Sequence, residues 1–252
     1  MGKIPLLNTY VNNLKMSETI ENIEKMIVNN KKAYVVAVNV DVIMKIEQDR
    51  YLKEISDNAD MVLVDGKPLV WISKLYKRPV CQKISGSDLV PMLCETAERK
   101  GYSIYIIGGK EGVAENAKIK LEQKHKNIKI VGTYSPPLEF EKDKNEIDKI
   151  NKMISDVSPD LLIACFGCPK QEKWVYENYK NYDAIVSICA GATIDFLAGN
   201  ISRAPKWVSN CGFEWFYRFL QEPKRMFKRY FVDDLRIIKL VWKYKKIKDV
   251  QI

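Results

Sequence analysis

The chain has one histidine in 252 residues, His125, set in a KHKN stretch that reads as an exposed helix end. This scarcity argues against catalysis through a Ser–His or Cys–His pair and leaves proton transfer to a carboxylate. No apolar run approaches the ~20 residues that span a bilayer. The opening MGKIPLLNTYVNN lacks the apolar core of a secretory signal, so nothing points to export. Cys165 and Cys168 form a CxxC, but no second Cys or His pair is available to complete a zinc site. Cys81, Cys94, Cys165, Cys168, Cys189 and Cys211 mostly sit in apolar contexts and read as buried free thiols of a cytosolic protein.

What the chain does have is apolar sequence in short, evenly spaced runs. Hydrophobic residues make up 46% and charged residues 29%, enough for a packed core with an ordinary surface. AYVVAV (33–38), MVLV (61–64), YSIYII (102–107), NIKIVG (127–132), DLLIACF (160–166) and AIVSICA (184–190) read as buried strands. Helices are expected between them: one after a Ser17 cap, one over roughly 41–57, and one over 68–76. Another is expected from a Ser87 cap to Lys100, closed by Gly101, and one around 142–155. Continuously apolar strands alternating with helices predict an α/β fold, Rossmann-like, with a mainly parallel sheet covered on both faces. Ligands in such sheets bind beyond the carboxyl ends of the strands. The polar features stand at such ends: Asn39, Asp65, Gly108-Gly109, Lys170-Gln171-Glu172 and Thr193-Ile194-Asp195.

Each feature has a bland reading beside a functional one. GGKEG (108–112) between a strand and a helix is a phosphate-cradle pattern, or only a tight turn. Asp65, followed by Gly66 at a sharp strand exit, is an Asx-turn or the general base; with histidine set aside it is the leading base candidate. Lys83, Gln171 and Glu172 are surface or cap groups, or groups that bind a sugar or nucleotide. There is no Asp-x-Asp, the arrangement by which many nucleotide-sugar enzymes hold a divalent metal. No metal and no cofactor are therefore expected, and a leaving diphosphate would need cationic side chains.

Those cations concentrate in one place. Residues 201–252 hold 13 Lys+Arg and 5 Asp+Glu, a net of +8 out of the chain's +9. We therefore divide the chain into a nearly neutral α/β domain, 1–200, and a basic, aromatic-rich helical appendage, 201–252. Trp215, Phe216, Phe219 and Leu220 recur eleven residues later as Met226, Phe227, Tyr230 and Phe231, about three helical turns on. Arg218, Arg225 and Arg229 stand at i, i+7 and i+11 as a flanking stripe. Pro223 forbids one unbroken helix and predicts two, with Pro223 opening the second. Rings beside a basic flank suit a helix at an anionic membrane surface. The appendage is expected to attach loosely and to fold over the Asp65 pocket at the membrane. A homo-oligomer would bury part of its apolar face elsewhere.

VDGKPLVW, SGSDLV, GGKEGVAENA, VGTYSPP, FGCPKQEKWV, IDFLAGNISRAPKW and EWFYRFLQEPKRMFKRY, in this order, resemble the WecG/TagA/CpsF glycosyltransferases from about Ala33 to Tyr230. The resemblance implies inverting, metal-independent transfer of a sugar from a UDP-sugar donor to an undecaprenyl-diphosphate-linked N-acetylglucosamine acceptor. It places the protein at the cytoplasmic face of the plasma membrane, peripherally attached. The TagA branch, with UDP-N-acetylmannosamine and wall teichoic acid synthesis, is the nearest likeness. N-acetylmannosaminuronate or glucuronate donors, for common antigen or capsule, are the alternative. Asp65 matches the family's base, Asn39 and Gln171 its substrate-pocket residues, and Arg203, Arg218, Arg225 and Arg229 lie in its basic motifs. Two positions depart: Ala37 where threonine is frequent, and Lys83 where arginine is frequent, which loses the bidentate fork.

Two other classes compete. A dinucleotide-dependent oxidoreductase would use GGKEG for pyrophosphate, but NIKIVG runs into Thr133 and no acid ends a strand about 20 residues on. A nucleic-acid binder would use the tail to stack bases, leaving the neutral body without a task. No nucleic-acid partner is expected.

Overall fold

A computed structural model describes residues 2–205, 208, 214–228 and 234–249. Six parallel strands form one sheet in the order β4-β3-β8-β7-β5-β6. They are β3 (Ala33–Val38), β4 (Met61–Val64), β5 (Ser103–Gly108), β6 (Lys129–Tyr134), β7 (Leu161–Cys165) and β8 (Val186–Cys189). All six lie where the apolar runs predict, and the fold is α/β with helices on both faces. Alternation within the strands shows why both faces need cover. Val36, Val38, Val62, Val64, Ile107 and Leu162 join one core, while Val35, Leu63, Ile106, Ile163 and Ile188 join the other. Each such side chain, fully buried, contributes roughly 1.5–3 kcal/mol.

Two further strands escape the apolar pattern. β1 (Lys3–Leu6) and β2 (Thr9–Asn12) pair as an antiparallel hairpin. The hairpin covers the free edge of β4, where Asn12 Oδ1 accepts from Val62 N at 2.8 Å. A half-polar hairpin of four-residue strands leaves little trace in hydropathy, but it closes a sheet edge that would otherwise offer unpaired N–H groups.

The helices are α1 (Met16–Val28), α2 (Val40–Gln48), α3 (Arg50–Asn58), α4 (Lys67–Leu75), α5 (Gly86–Lys100), α6 (Val113–Lys124), α7 (Lys144–Ser155), α8 (Lys170–Asn178) and α9 (Thr193–Leu197). Three local expectations change. The helix expected over 41–57 is two, because the Asp49 carboxylate accepts from Tyr51 N and Leu52 N and starts α3 afresh. Ser85, not Ser87, caps α5, its hydroxyl accepting from Asp88 N at 3.1 Å. Ser17 lies within α1, whose start is tied by Lys15 N donating to Glu18 Oε2. His125 is also corrected: it is buried at the end of α6, with its Nδ1 2.8 Å from Glu98 Oε2. Cys94, Cys165 and Cys189 are buried free thiols as expected, Cys168 is half-buried and Cys81 exposed, while Cys211 lies outside the described residues.

The tail contains α10 (Glu214–Gln221), α11 (Pro223–Lys228) and α12 (Ile237–Asp249). The break falls at Pro223, as the sequence predicts. α12 is not loose. Leu240 is buried in the core, Tyr76 Oη donates to Val241 O at 2.8 Å, and Lys243 and Tyr244 both bond the Glu47 carboxylate on α2. Among the described residues no helix is long and apolar enough to cross a membrane.

Candidate active site

A cavity of about 550 Å³ opens at the carboxyl ends of β3, β4, β7 and β8. Asn39 and Asp65 line it together because their strands are adjacent and in register, Val38 opposite Val64. Each is the first residue past its strand. Asp65 N donates to Val38 O at 2.8 Å, and Gly66, at φ 99°, lets the chain turn away at once into α4. The Asn39 carbonyl oxygen caps α2, accepting from Val42 N at 3.1 Å. Its amide nitrogen is thereby aimed at the other side, where it donates to Asp65 Oδ2 at 3.5 Å. One asparagine thus starts a helix and orients a carboxylate.

The opposite wall comes from the β7 and β8 exits. Gly167, Cys168, Gln171 and Glu172 line it with Ala190, Gly191 and Thr193. Gln171 and Glu172 are 4% and 3% exposed, unusually deep for the first turn of a helix. Gln171 Oε1 accepts from Gly167 N at 3.2 Å and Gly191 N at 3.0 Å, while its Nε2 donates to Glu172 Oε1 at 2.8 Å. Lys45 lies on the α2 side, donating to Asp41 Oδ2 and Cys168 O, both at 2.9 Å. Ser85, Gly86 and Ser87, at the start of α5, complete the rim, and Ala37 lies in the lining. Met226 of α11, 1% exposed, closes one side, so the tail reaches the cavity.

Four more of the predicted residues lie outside the lining. Lys83 and Arg203 both grip Asp88, Lys83 at 2.8 Å, and neither lines the cavity. Burial pushes the Asp88 carboxyl up, but Lys83, Ser85 and Arg203 outweigh it and hold it at about 2. Gly108 and Gly109 also lie outside the lining. Gly108, at φ 123°, packs where an added Cβ would stand 2.4 Å from Cys165 O. Arg218 is on α10 and Arg225 on α11, with side chains outside the described part; Arg229 lies outside the described residues. Sequence reasoning missed Lys45, Ser85 and Met226 as lining residues. Ser85, in the SGSDLV motif, and Met226, in the eleven-residue repeat of the tail, carried a local signal; Lys45 did not. Among the described residues, no three His, Cys, Asp or Glu side chains converge to hold a metal.

A parallel α/β sheet with a paired Asn–Asp at adjacent strand ends narrows the class of enzyme, and the sequence comparisons decide it. The sequence model of the Glycosyl transferase WecG/TagA/CpsF family matches residues 4–251. The chain belongs to this family. It is a glycosyltransferase, and the oxidoreductase and nucleic-acid readings fall away. Among its relatives is the N-acetylglucosaminyldiphosphoundecaprenol N-acetyl-beta-D-mannosaminyltransferase of Bacillus subtilis, 30% identical over 218 residues, covering 86% of this chain and 82% of that protein. The protein of the same name from Bacillus spizizenii is 29% identical over 197 residues, 78% of this chain and 74% of its own length.

Proposed function

We propose that this glycosyltransferase moves N-acetylmannosamine from UDP-N-acetylmannosamine to undecaprenyl-diphosphate-linked N-acetylglucosamine, inverting the anomeric centre, in wall teichoic acid linkage-unit synthesis. The observation that carries the reading is the Asn39–Asp65 pair at the cavity wall. Asp65 takes the proton of the acceptor hydroxyl as that oxygen attacks the anomeric carbon. The bond from that carbon to the donor's phosphate oxygen breaks, and the electron pair leaves with UDP. The names of both relatives support the acceptor and the transferred sugar.

The leaving diphosphate is met without a metal. The N-termini of α2, α5 and α8 bring residues to the lining, and their helix dipoles favour an anion there. Arg218, Arg225 and Arg229 are the cations proposed to close over it from the tail. Lys83 and Arg203 act on the donor side through the Asp88 cluster. The appendage is proposed to dock on anionic lipid at the inner face of the plasma membrane, with a homo-oligomer sheltering part of it in solution. Exposed Trp215, Phe216, Leu220 and Phe227 support this reading.

A panel of UDP-sugars tested with a short-chain lipid-linked N-acetylglucosamine acceptor checks the proposal. UDP-N-acetylmannosamine is expected to react and to give the β-anomer. Exclusive use of a uronic-acid donor would overturn the donor assignment, an outcome for which Ala37 in the lining gives a specific motive.

A further inference from the structure

Two backbone N–H groups from different strand exits, Gly167 after β7 and Gly191 after β8, point at one atom, Gln171 Oε1. Both partners are donors, so the atom between them is the amide oxygen, and the amide nitrogen must face the other way. There it meets Glu172 Oε1 at 2.8 Å. One N–H of the amide is thereby engaged, and through its oxygen Gln171 joins two loops that wall the cavity.

Glu172 holds that amide in place. Its Oε2 is sealed from solvent and meets no hydrogen-bond partner of ordinary geometry among the described residues. The groups facing it are Lys45 and Asp41 from α2, Cys168 from the β7 exit and Cys189 from the end of β8. Lys45 Nζ is directed to Asp41 and the Cys168 carbonyl, so it supplies field but no direct bond. With that oxygen out of water the charged form is disfavoured relative to the carboxylic acid, and the Cys168 thiol and Lys45 offset only part of this. Burial accordingly pushes the Glu172 carboxyl up from its ordinary range.

We propose that Glu172 is a positioning residue for transfer, working as a carboxylic acid that fixes the Gln171 amide and so staples the β7 and β8 exits into one wall of the cavity. The proposal rests on this cavity being the transfer site. Its structural half, the staple, stands apart from that assignment.

Two measurements on the full chain test it. In amide hydrogen exchange, the Gly167 and Gly191 N–H groups should be protected in the wild type. They should exchange at least tenfold faster in Gln171→Ala and Glu172→Ala, and keep wild-type protection in Glu172→Gln. In sugar transfer, Glu172→Gln should stay within about threefold of wild type at neutral pH, because a carboxamide reproduces the neutral acid. The wild-type rate should fall on the alkaline side as Glu172 ionises, and Glu172→Gln should lack that limb. Unchanged protection of both amides in Glu172→Ala, or in Gln171→Ala, would overturn the staple. A Glu172→Gln variant as impaired as Glu172→Ala, with the alkaline limb retained, would show that the carboxylate is the working form and sink the proposal. If the wild type transfers no sugar at all, the site assignment fails, while the exchange result still decides the staple.

Discussion

Two strand exits in this molecule look alike in sequence and end differently in space. Asp65-Gly66 follows β4, and Gly108-Gly109-Lys110-Glu111-Gly112 follows β5; each is a glycine-bearing polar turn after a buried parallel strand. The first opens on the cavity beside Asn39, and the second lies outside its lining. The cause is the neighbouring strand. β4 adjoins β3, whose exit turns into α2 and leaves an asparagine facing the acid. β5 adjoins β7, whose Cys165 carbonyl presses against Gly108 so closely that a side chain has no room. Glycine serves a cavity-facing exit in one case and strand-to-strand contact in the other.

The largest effect that would sharpen this contrast comes from the acid itself. Asp65→Asn keeps the shape and removes the proposed base, and should lower kcat by about 10²–10⁴-fold while the thermal midpoint barely moves. Near-normal turnover by a folded Asp65→Asn protein would break the assignment. Gly108→Ala should act oppositely, costing about 2–4 kcal/mol of stability from the clash and the positive φ. UDP affinity per folded molecule should hold; a selective loss of UDP binding with normal stability would restore a ligand role to that turn.

Asn39 offers a finer test because it touches both functions of the first exit. Asn39→Ala should lose the α2 cap, about 1 kcal/mol, and also slow transfer. Asn39→Asp should keep the cap but set a second carboxylate against Asp65. A like charge raises the base's pKa, so the acid limb of the rate profile should move to higher pH. An unmoved limb would mean that Asp65 is not the group titrating there.

The smallest expected effect lies at the rim. Asp88 titrates at about 2, below its usual 3.8, because Lys83, Ser85 and Arg203 outweigh its burial. A depressed folded pKa adds stability that is present above the unfolded value and lost as pH falls from about 4 to about 2. Denaturant unfolding across that window should show a loss of about 1–2 kcal/mol that Lys83→Met reduces. For Glu172 the sign reverses. Its raised pKa means stability is full below the ordinary carboxyl value and declines as pH rises, a decline that Glu172→Gln should remove.

Much of this was legible in the chain because burial periodicity is a local property. A run such as AYVVAV, six apolar residues rich in valine, favours a doubly covered strand, and a proline at 223 favours the start of a helix over its continuation. The excess charge after residue 200, and an acid and an asparagine at strand exits, are likewise facts of order along the chain. Where two groups meet is not local. That Asn39 faces Asp65 depended on β3 and β4 being neighbours in register. Lys83 and Arg203 were drawn off the cavity by Asp88, 115 positions from Arg203 in the sequence. His125 was buried by Glu98 from another helix, and α12 was fastened by Glu47. That Gln171 Oε1 receives N–H groups from two separate loops likewise depended on the fold bringing those loops together. Hydrophobic pattern along one segment determined the elements of this protein; hydrogen bonds and ion pairs between distant segments decided which polar ends became a site.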